Sequence, residues 1–250
     1  MRININLKCE RNTIIPFNYQ YQLSTAIYNF IYSNDKDFAE KLHRSKDFKF
    51  FTHSWLFMPK SKVCKDGIIC KDGNAFFKVS SPNDELMTNL IKGLFKTGNL
   101  CINNINFEVT SIINEKGYNS NIKKMKTISP ILLRTKKERN GVDDIGGLKI
   151  YDLLPQEDSE KFYQNLKNNL KRKYSIYYNK DYENCDLDFD INILESKSKR
   201  VKIKDSFQRC SNLKFEIGGD EDLINFAYDC GLGELNSMGF GMIDIYSYKR

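Results

Sequence analysis

Gly231-Leu232-Gly233-Glu234-Leu235-Asn236-Ser237-Met238-Gly239-Phe240-Gly241, close to the C-terminus, holds four of the chain's 14 glycines in eleven positions. An apolar run (Leu223, Ile224, Phe226, Ala227) precedes it and a strand-like run (Met242, Ile243, Ile245, Tyr246) follows. Glycine reaches φ > 0 and admits close backbone approach, and Asn236 and Ser237 add short polar side chains, so the composition suits a loop that holds a polyanion. A plain turn has the same composition. Order along the chain settles one alternative. Dinucleotide and P-loop fingerprints run strand, glycine loop, helix; here the order is helix, loop, strand, and no Gly-Lys-Ser/Thr follows.

Working outward, a helix over 220–229 and a strand over 241–248 flank the loop. Upstream lie predicted strands at 186–195, 200–204 and 208–217, a helix over 156–178, and a strand at 127–135 followed by an irregular loop containing Gly141, Gly146 and Gly147. Residues 114–126 read as a polar linker. The first half shows the same scheme. Ile3-Asn4-Ile5-Asn6-Leu7 alternates as a strand does, and Leu23, Ala26, Ile27, Phe30 and Ile31 form one helical stripe. A short helix over 35–43 follows, then strands at 50–58 and 75–79, a helix to about Lys96 and a strand at 107–113. Each half is therefore β-α-β-β-α-β, and the fold class is α+β with two tandem ferredoxin-like (RRM-like) domains, at 1–118 and 125–250.

The formal charge of +7, with 39 Lys+Arg against 32 Asp+Glu, is compatible with a nucleic-acid partner without requiring one. Seven scattered cysteines form no Cys-x2-Cys or Cys/His cluster, so no metal site is expected. No apolar run approaches the roughly 18 residues of a membrane span, and Arg2, Asn4, Lys8, Glu10 and Arg11 interrupt any leader. The expectation is a soluble, cytoplasmic protein with mostly buried thiols and no membrane association.

The glycine spacing, the run Pro16-Phe17-Asn18-Tyr19-Gln20-Tyr21 leading into Ala26-Ile27-Tyr28, and Phe38-Ala39-x-x-Leu42-His43 followed by Lys49-Phe50-Phe51-Thr52 together carry a resemblance. Across its whole length the chain resembles the CRISPR-associated endoribonucleases of the sixth Cas family, in the repeat-associated mysterious protein superfamily. The resemblance implies cleavage of CRISPR repeat RNA within precursor crRNA, with no metal or other cofactor, leaving a 2′,3′-cyclic phosphate-type end and a 5′-hydroxyl. It places the catalytic tyrosine, histidine and lysine on Tyr28, His43 and Lys49. The rival reading is a non-catalytic RNA-binding subunit of a multisubunit CRISPR effector complex; a homodimer is a further expected partnership.

On their own terms these residues allow plainer readings: a half-exposed surface tyrosine, a histidine at a helix C-terminus favoured by the dipole, and a strand-edge lysine. RNA self-cleavage needs a base for the 2′-OH, an acid for the leaving 5′-oxygen and a cation near the non-bridging oxygens. Histidine suits the first two roles, and the chain has two. Alternation places His53 with Phe51 and Trp55 on the core side, so His43 is the choice. For RNA binding the candidates are the loop residues Gly231, Gly233, Asn236, Ser237, Gly239 and Gly241, with Arg200, Lys202 and Lys204, which alternate with Val201 and Ile203 to make one strand face cationic. Lys167, Lys171, Arg172 and Lys173 read as a solvated helix face, and Lys123, Lys124, Lys126, Arg134, Lys136, Lys137 and Arg139 as a second basic region.

Overall fold

The computed structural model describes residues 1–45, 47–115, 117, 124–137, 149–181 and 187–246, with the side chains of Lys137 and Lys149 left aside. The expected domain boundary, the loop glycines 141, 146 and 147, and Lys123 and Arg139 lie outside the described residues.

The first half runs β1 (Arg2–Lys8), β2 (Thr13–Ile15), α1 (Gln20–Asn34), α2 (Lys36–Arg44), β3 (Thr52–His53), β4 (Ser61–Val63), β5 (Ile68–Cys70), β6 (Asn74–Ser80), α3 (Asp84–Thr97), β7 (Asn99–Ile102) and β8 (Ile105–Asn114). The second runs β9 (Lys124–Thr127), β10 (Arg134–Lys137), β11 (Lys149–Asp152), α4 (Ser159–Tyr177), β12 (Phe189–Ile203), β13 (Ser206–Gly219), α5 (Glu221–Cys230), a 3-10 turn at Asn236–Met238, and β14 (Ile243–Ile245). The main sheets are β3-β6-β1-β8-β7 and β12-β13-β9-β14, antiparallel throughout. Both place the βαββαβ strands in the order second, third, first, fourth, so both halves are ferredoxin-like.

Three of the helices, α2, α3 and α4, begin where the sequence supplies side-chain caps. The carboxylate of Asp35 accepts from the Phe38 amide, Asn83 from Leu86, and Asp158 from Lys161, each satisfying an orphan donor of the first turn. The stripe Leu23, Ala26, Ile27, Phe30 and Ile31 is buried against the first sheet, as its spacing requires.

Three expectations are corrected. The strand over 50–58 is reduced to Thr52–His53, because Phe50 turns the chain at φ 52°. That turn sends Phe50 against Tyr177 and Phe226 of the second core, at 5.0 and 6.4 Å between ring centroids, while Phe51 enters the first core. The strand over 127–135 is displaced and broken: β9 lies at Lys124–Thr127, at the end of the expected linker, β10 starts at Arg134, and between them stands Pro130, which has no N–H for a ladder. The strands at 186–195 and 200–204 are one fifteen-residue strand, β12, with a register shift between Ile193 and Glu195. Its polar middle hid its continuity.

The halves are joined by polar contacts as well as apolar ones. The buried Arg2 guanidinium donates to the carbonyls of Ile243 and Tyr228 and lies 3.4 Å from the Tyr228 ring centroid. Lys78 bridges Glu115 at 2.8 Å and Asp244 at 2.9 Å. Among the described residues no helix is long and apolar enough to cross a membrane.

Candidate RNA-cleavage site

The glycine loop is built around protein atoms. Gly231, Gly233, Gly239 and Gly241 are all buried. Gly239 has φ 83°, and a Cβ there would stand 2.7 Å from the imidazole of His53. At Gly241, with φ 72°, a Cβ would stand 1.8 Å from the Leu232 carbonyl oxygen. These glycines exist so that the loop can close on itself and on β3. What the loop offers outward is Glu234 to Met238, which is half-buried.

Four side chains fix the shape of that segment. The Asn236 amide donates to the carbonyls of Leu232 and Phe240 at 3.0 and 3.1 Å. Thr52 Oγ1 and Trp55 Nε1 donate to the carbonyls of Phe240 and Gly239, each at 3.0 Å, tying loop to first domain. The fourth is Lys173, which is no part of a solvated face. Its side chain is 1 % exposed, and its Nζ donates to Gly231 O at 2.6 Å, Gly233 O at 3.2 Å and Asn236 Oδ1 at 3.1 Å. Burial lowers its pKa, opposed by Cys230 and Glu234. The signal was present: Leu166, Leu170 and Lys173 stand at i, i+4 and i+7, on the helix stripe that faces the core.

His53 fulfils the core reading. It is 0 % exposed, with Nε2 3.0 Å from Ser24 Oγ and Nδ1 3.0 Å from the Ser54 carbonyl. A carbonyl can only accept, so Nδ1 carries the proton. Burial pushes the imidazole down to about 4, the Ser54 contact partly opposing it.

Tyr28 and His43 come from consecutive helices and meet edge to face, 6.0 Å between ring centroids at 78°. Tyr28 also packs on Phe51 at 5.7 Å. It is half-buried, and burial raises its phenol pKa, with the Ser237 hydroxyl acting in the opposite direction. His43 is exposed at the end of α2. Lys49 returns to that same helix end, its Nζ donating to the carbonyls of Leu42, His43 and Ser45. These are orphan carbonyls of a helix C-terminus. Burial lowers the Lys49 pKa and Asp47 works against it.

Tyr28, His43 and Lys49 share a cavity of about 610 Å3 with Tyr21, Ser237 and Lys204. The cavity draws on both halves of the chain: α1 and α2 on one side, the glycine loop and the β12–β13 turn on the other. The expected cationic strand face is divided. Val201 and Ile203 are buried as alternation requires, and Arg200, Lys202 and Lys204 are exposed. Lys204, in the turn at φ 51°, lies 5.2 Å from the Tyr21 ring centroid and enters the cavity. Arg200 stacks on Phe207 at 4.2 Å and lines a separate cavity of about 480 Å3 with Ser198 and Arg209.

Family models described as CRISPR-associated protein Cas6, N-terminal, and CRISPR associated protein Cas6, C-terminal, match residues 14–113 and 113–245. The chain belongs to the Cas6 family. It is 45% identical over 247 residues to the CRISPR-associated endoribonuclease Cas6 1 of Methanocaldococcus jannaschii, covering 97% of this chain and 92% of that relative. It is 32% identical to the CRISPR-associated endoribonuclease Cas6 of Pyrococcus furiosus, covering 94% of this chain and 85% of the relative. A solved structure described as an RAMP protein binding different RNA substrates is 28% identical with a TM-score of 0.86, covering 99% and 100% of the two chains. The fold described above, with two ferredoxin-like units, is thus shared with solved relatives of the chain.

Proposed function

We propose that this Cas6 protein is a cytoplasmic endoribonuclease, with domains at 1–118 and 125–250, that cuts CRISPR repeat RNA within precursor crRNA. The observation that carries the reading is the single cavity that unites Tyr28 and His43 with Ser237 and Lys204 from the far end of the chain.

In the proposed step the 2′-OH attacks the adjacent phosphorus, the bond to the 5′-oxygen breaks, and the products end in a 2′,3′-cyclic phosphate and a 5′-hydroxyl. The 2′-OH proton goes to a base and the leaving 5′-oxygen receives one from an acid. Burial holds the Tyr28 phenol protonated, which suits it to donate. His43, exposed at the mouth, takes the 2′-OH proton. Lys49 fixes the end of α2 and with it His43, its positive charge remaining beside the phosphate. Lys204 is the second cation. Charge stabilisation and proton transfer are then all supplied by side chains, and no metal is needed.

The test is cleavage of repeat RNA in EDTA. We expect cutting to persist, a 2′-deoxy substitution at the cut site to abolish it while largely preserving binding, and His43→Ala to slow it by about 10²–10⁴-fold. Loss of cutting in EDTA, or full-rate cutting by His43→Ala, overturns the mechanism. A second reading, an RNA-holding subunit of a CRISPR effector complex, draws on one observation: Lys49 is engaged by three backbone carbonyls. It requires binding of both RNAs and cutting of neither.

A further inference from the structure

Beyond Lys49 and Ser237 the catalytic cavity borders a cleft of about 400 Å3, to which both residues also belong. That cleft shares Phe48, Arg134, Arg172 and Glu234 with a further cavity of about 790 Å3, within the roughly 300–1,000 Å3 of ordinary ligand pockets. The cleft and the further cavity both lie along α4, and the cleft meets the cleavage cavity at Lys49 and Ser237. Asn165, Asn169, Arg172 and Ser175 line the largest, and their spacing of three or four puts them on one helix face.

Two oxygens on that face are buried without a hydrogen-bond partner among the described residues: Asn169 Oδ1 and Ser175 Oγ. Ser175 is 2 % exposed. Buried polar atoms are almost always paired, and one left unpaired carries a desolvation cost. Two together, on residues that line one cavity, point to a ligand that completes them once their side chains turn toward it. The electrostatics indicate its charge. Arg134 is neutralised by Glu234, with Nε and Nη2 donating at 2.8 and 2.7 Å, which leaves Arg172 and Lys180 as the cations of the lining that face no carboxylate among the described residues. Phe48 supplies an aromatic wall at the junction with the cleft.

An anionic ligand with hydrogen-bonding edges and a flat face, on a path continuous with the cleavage cavity, is a nucleotide. We infer that this cavity takes one unstacked nucleotide of the RNA strand whose scissile phosphate lies at Tyr28 and His43. Its base stacks against Phe48 and donates an edge N–H to Asn169 Oδ1, Ser175 Oγ makes the second edge contact, and Arg172 meets the backbone phosphate. Splayed bases held by stacking and amide contacts are a common way of reading single-stranded RNA. The inference rests on the RNA-cleavage reading and adds to it a site of sequence selection.

The test uses full-length protein and repeat RNA made non-cleavable by a 2′-deoxy group at the cut. Binding is measured by fluorescence anisotropy across RNAs carrying one abasic nucleotide at each unpaired position flanking that site. We expect one abasic position to weaken wild-type binding about tenfold, and Asn169→Ala to weaken binding of intact RNA by about three- to tenfold. The two losses combined are expected to be smaller than their product, the signature of a shared contact. Ser175→Ala, which removes an unpartnered buried hydroxyl, should bind RNA more weakly while melting no lower than wild type, so that weaker binding is not unfolding. Losses that multiply independently at every position, or wild-type affinity in both variants, overturn the pocket while leaving the cleavage reading intact. A wild-type protein that neither binds nor cuts repeat RNA overturns both.

Discussion

Lys173 and Lys49 solve the same problem in two places. Each sets one ammonium among three oxygens at the end of a turn: Gly231 O, Gly233 O and Asn236 Oδ1 in the glycine loop, and the carbonyls of Leu42, His43 and Ser45 at the end of α2. The two turns line the same cavity, one presenting Ser237 and the other His43. They differ in solvent. Lys173 is sealed inside, whereas Lys49 is half-buried at the edge of a cavity. Inside, water cannot replace a lost donor, so the lysine is part of the fold. At the edge water can, so the lysine matters chiefly for where His43 stands and for the field around it.

The largest expected effect tests the buried member. Lys173→Met leaves three acceptors without their donor, at roughly 1–3 kcal/mol each, offset in part by removing a buried charge. We expect a net loss of about 3 kcal/mol in unfolding experiments; a variant as stable as wild type would break the comparison. A pH titration of stability probes the support beneath the loop. The His53 pKa is depressed in the folded state to about 4 against about 6.5 unfolded, so the unfolded chain binds more protons between those values. Its contribution is complete above pH 6.5 and is lost as pH falls toward 4, by up to about 3 kcal/mol. His53→Gln should flatten that slope, and an unchanged slope would rule His53 out as its source. Lys49→Met should slow repeat-RNA cleavage by about tenfold or more while costing under about 1 kcal/mol of stability; a melting loss as large as that of Lys173→Met erases the distinction. The smallest effect concerns Lys204. Its replacement by alanine should lower the slope of log K against log salt for single-stranded repeat RNA by about 0.7, one phosphate contact, and a slope equal to wild type would remove Lys204 from the phosphate path.

Much of the fold was legible because periodicity is local. The alternation of Ile3, Ile5 and Leu7 and the stripe from Leu23 to Ile31 are set by backbone geometry within a few residues, and the structure buries those side chains. The order helix, glycine loop, strand was legible for the same reason. Where a long-range contact overrode a local pattern, the reading failed. Phe50 leaves the extended conformation because the second core takes its ring. Lys173 reads as a surface cation until the loop carbonyls that surround its Nζ are in place. The strand over 189–203 is continuous because β13 pairs it along its length, though its middle is polar.

By itself the sequence determined the two βαββαβ halves and the position of the glycine loop, which follow from spacing along one chain. Tertiary structure alone decided that the loop's glycines face protein, that Ser237 and Lys204 join Tyr28 and His43, and that a lysine could be drawn inside. These are outcomes of burial between segments far apart in sequence, where the surroundings of a group, rather than its identity, fix its solvation, its charge and its partners.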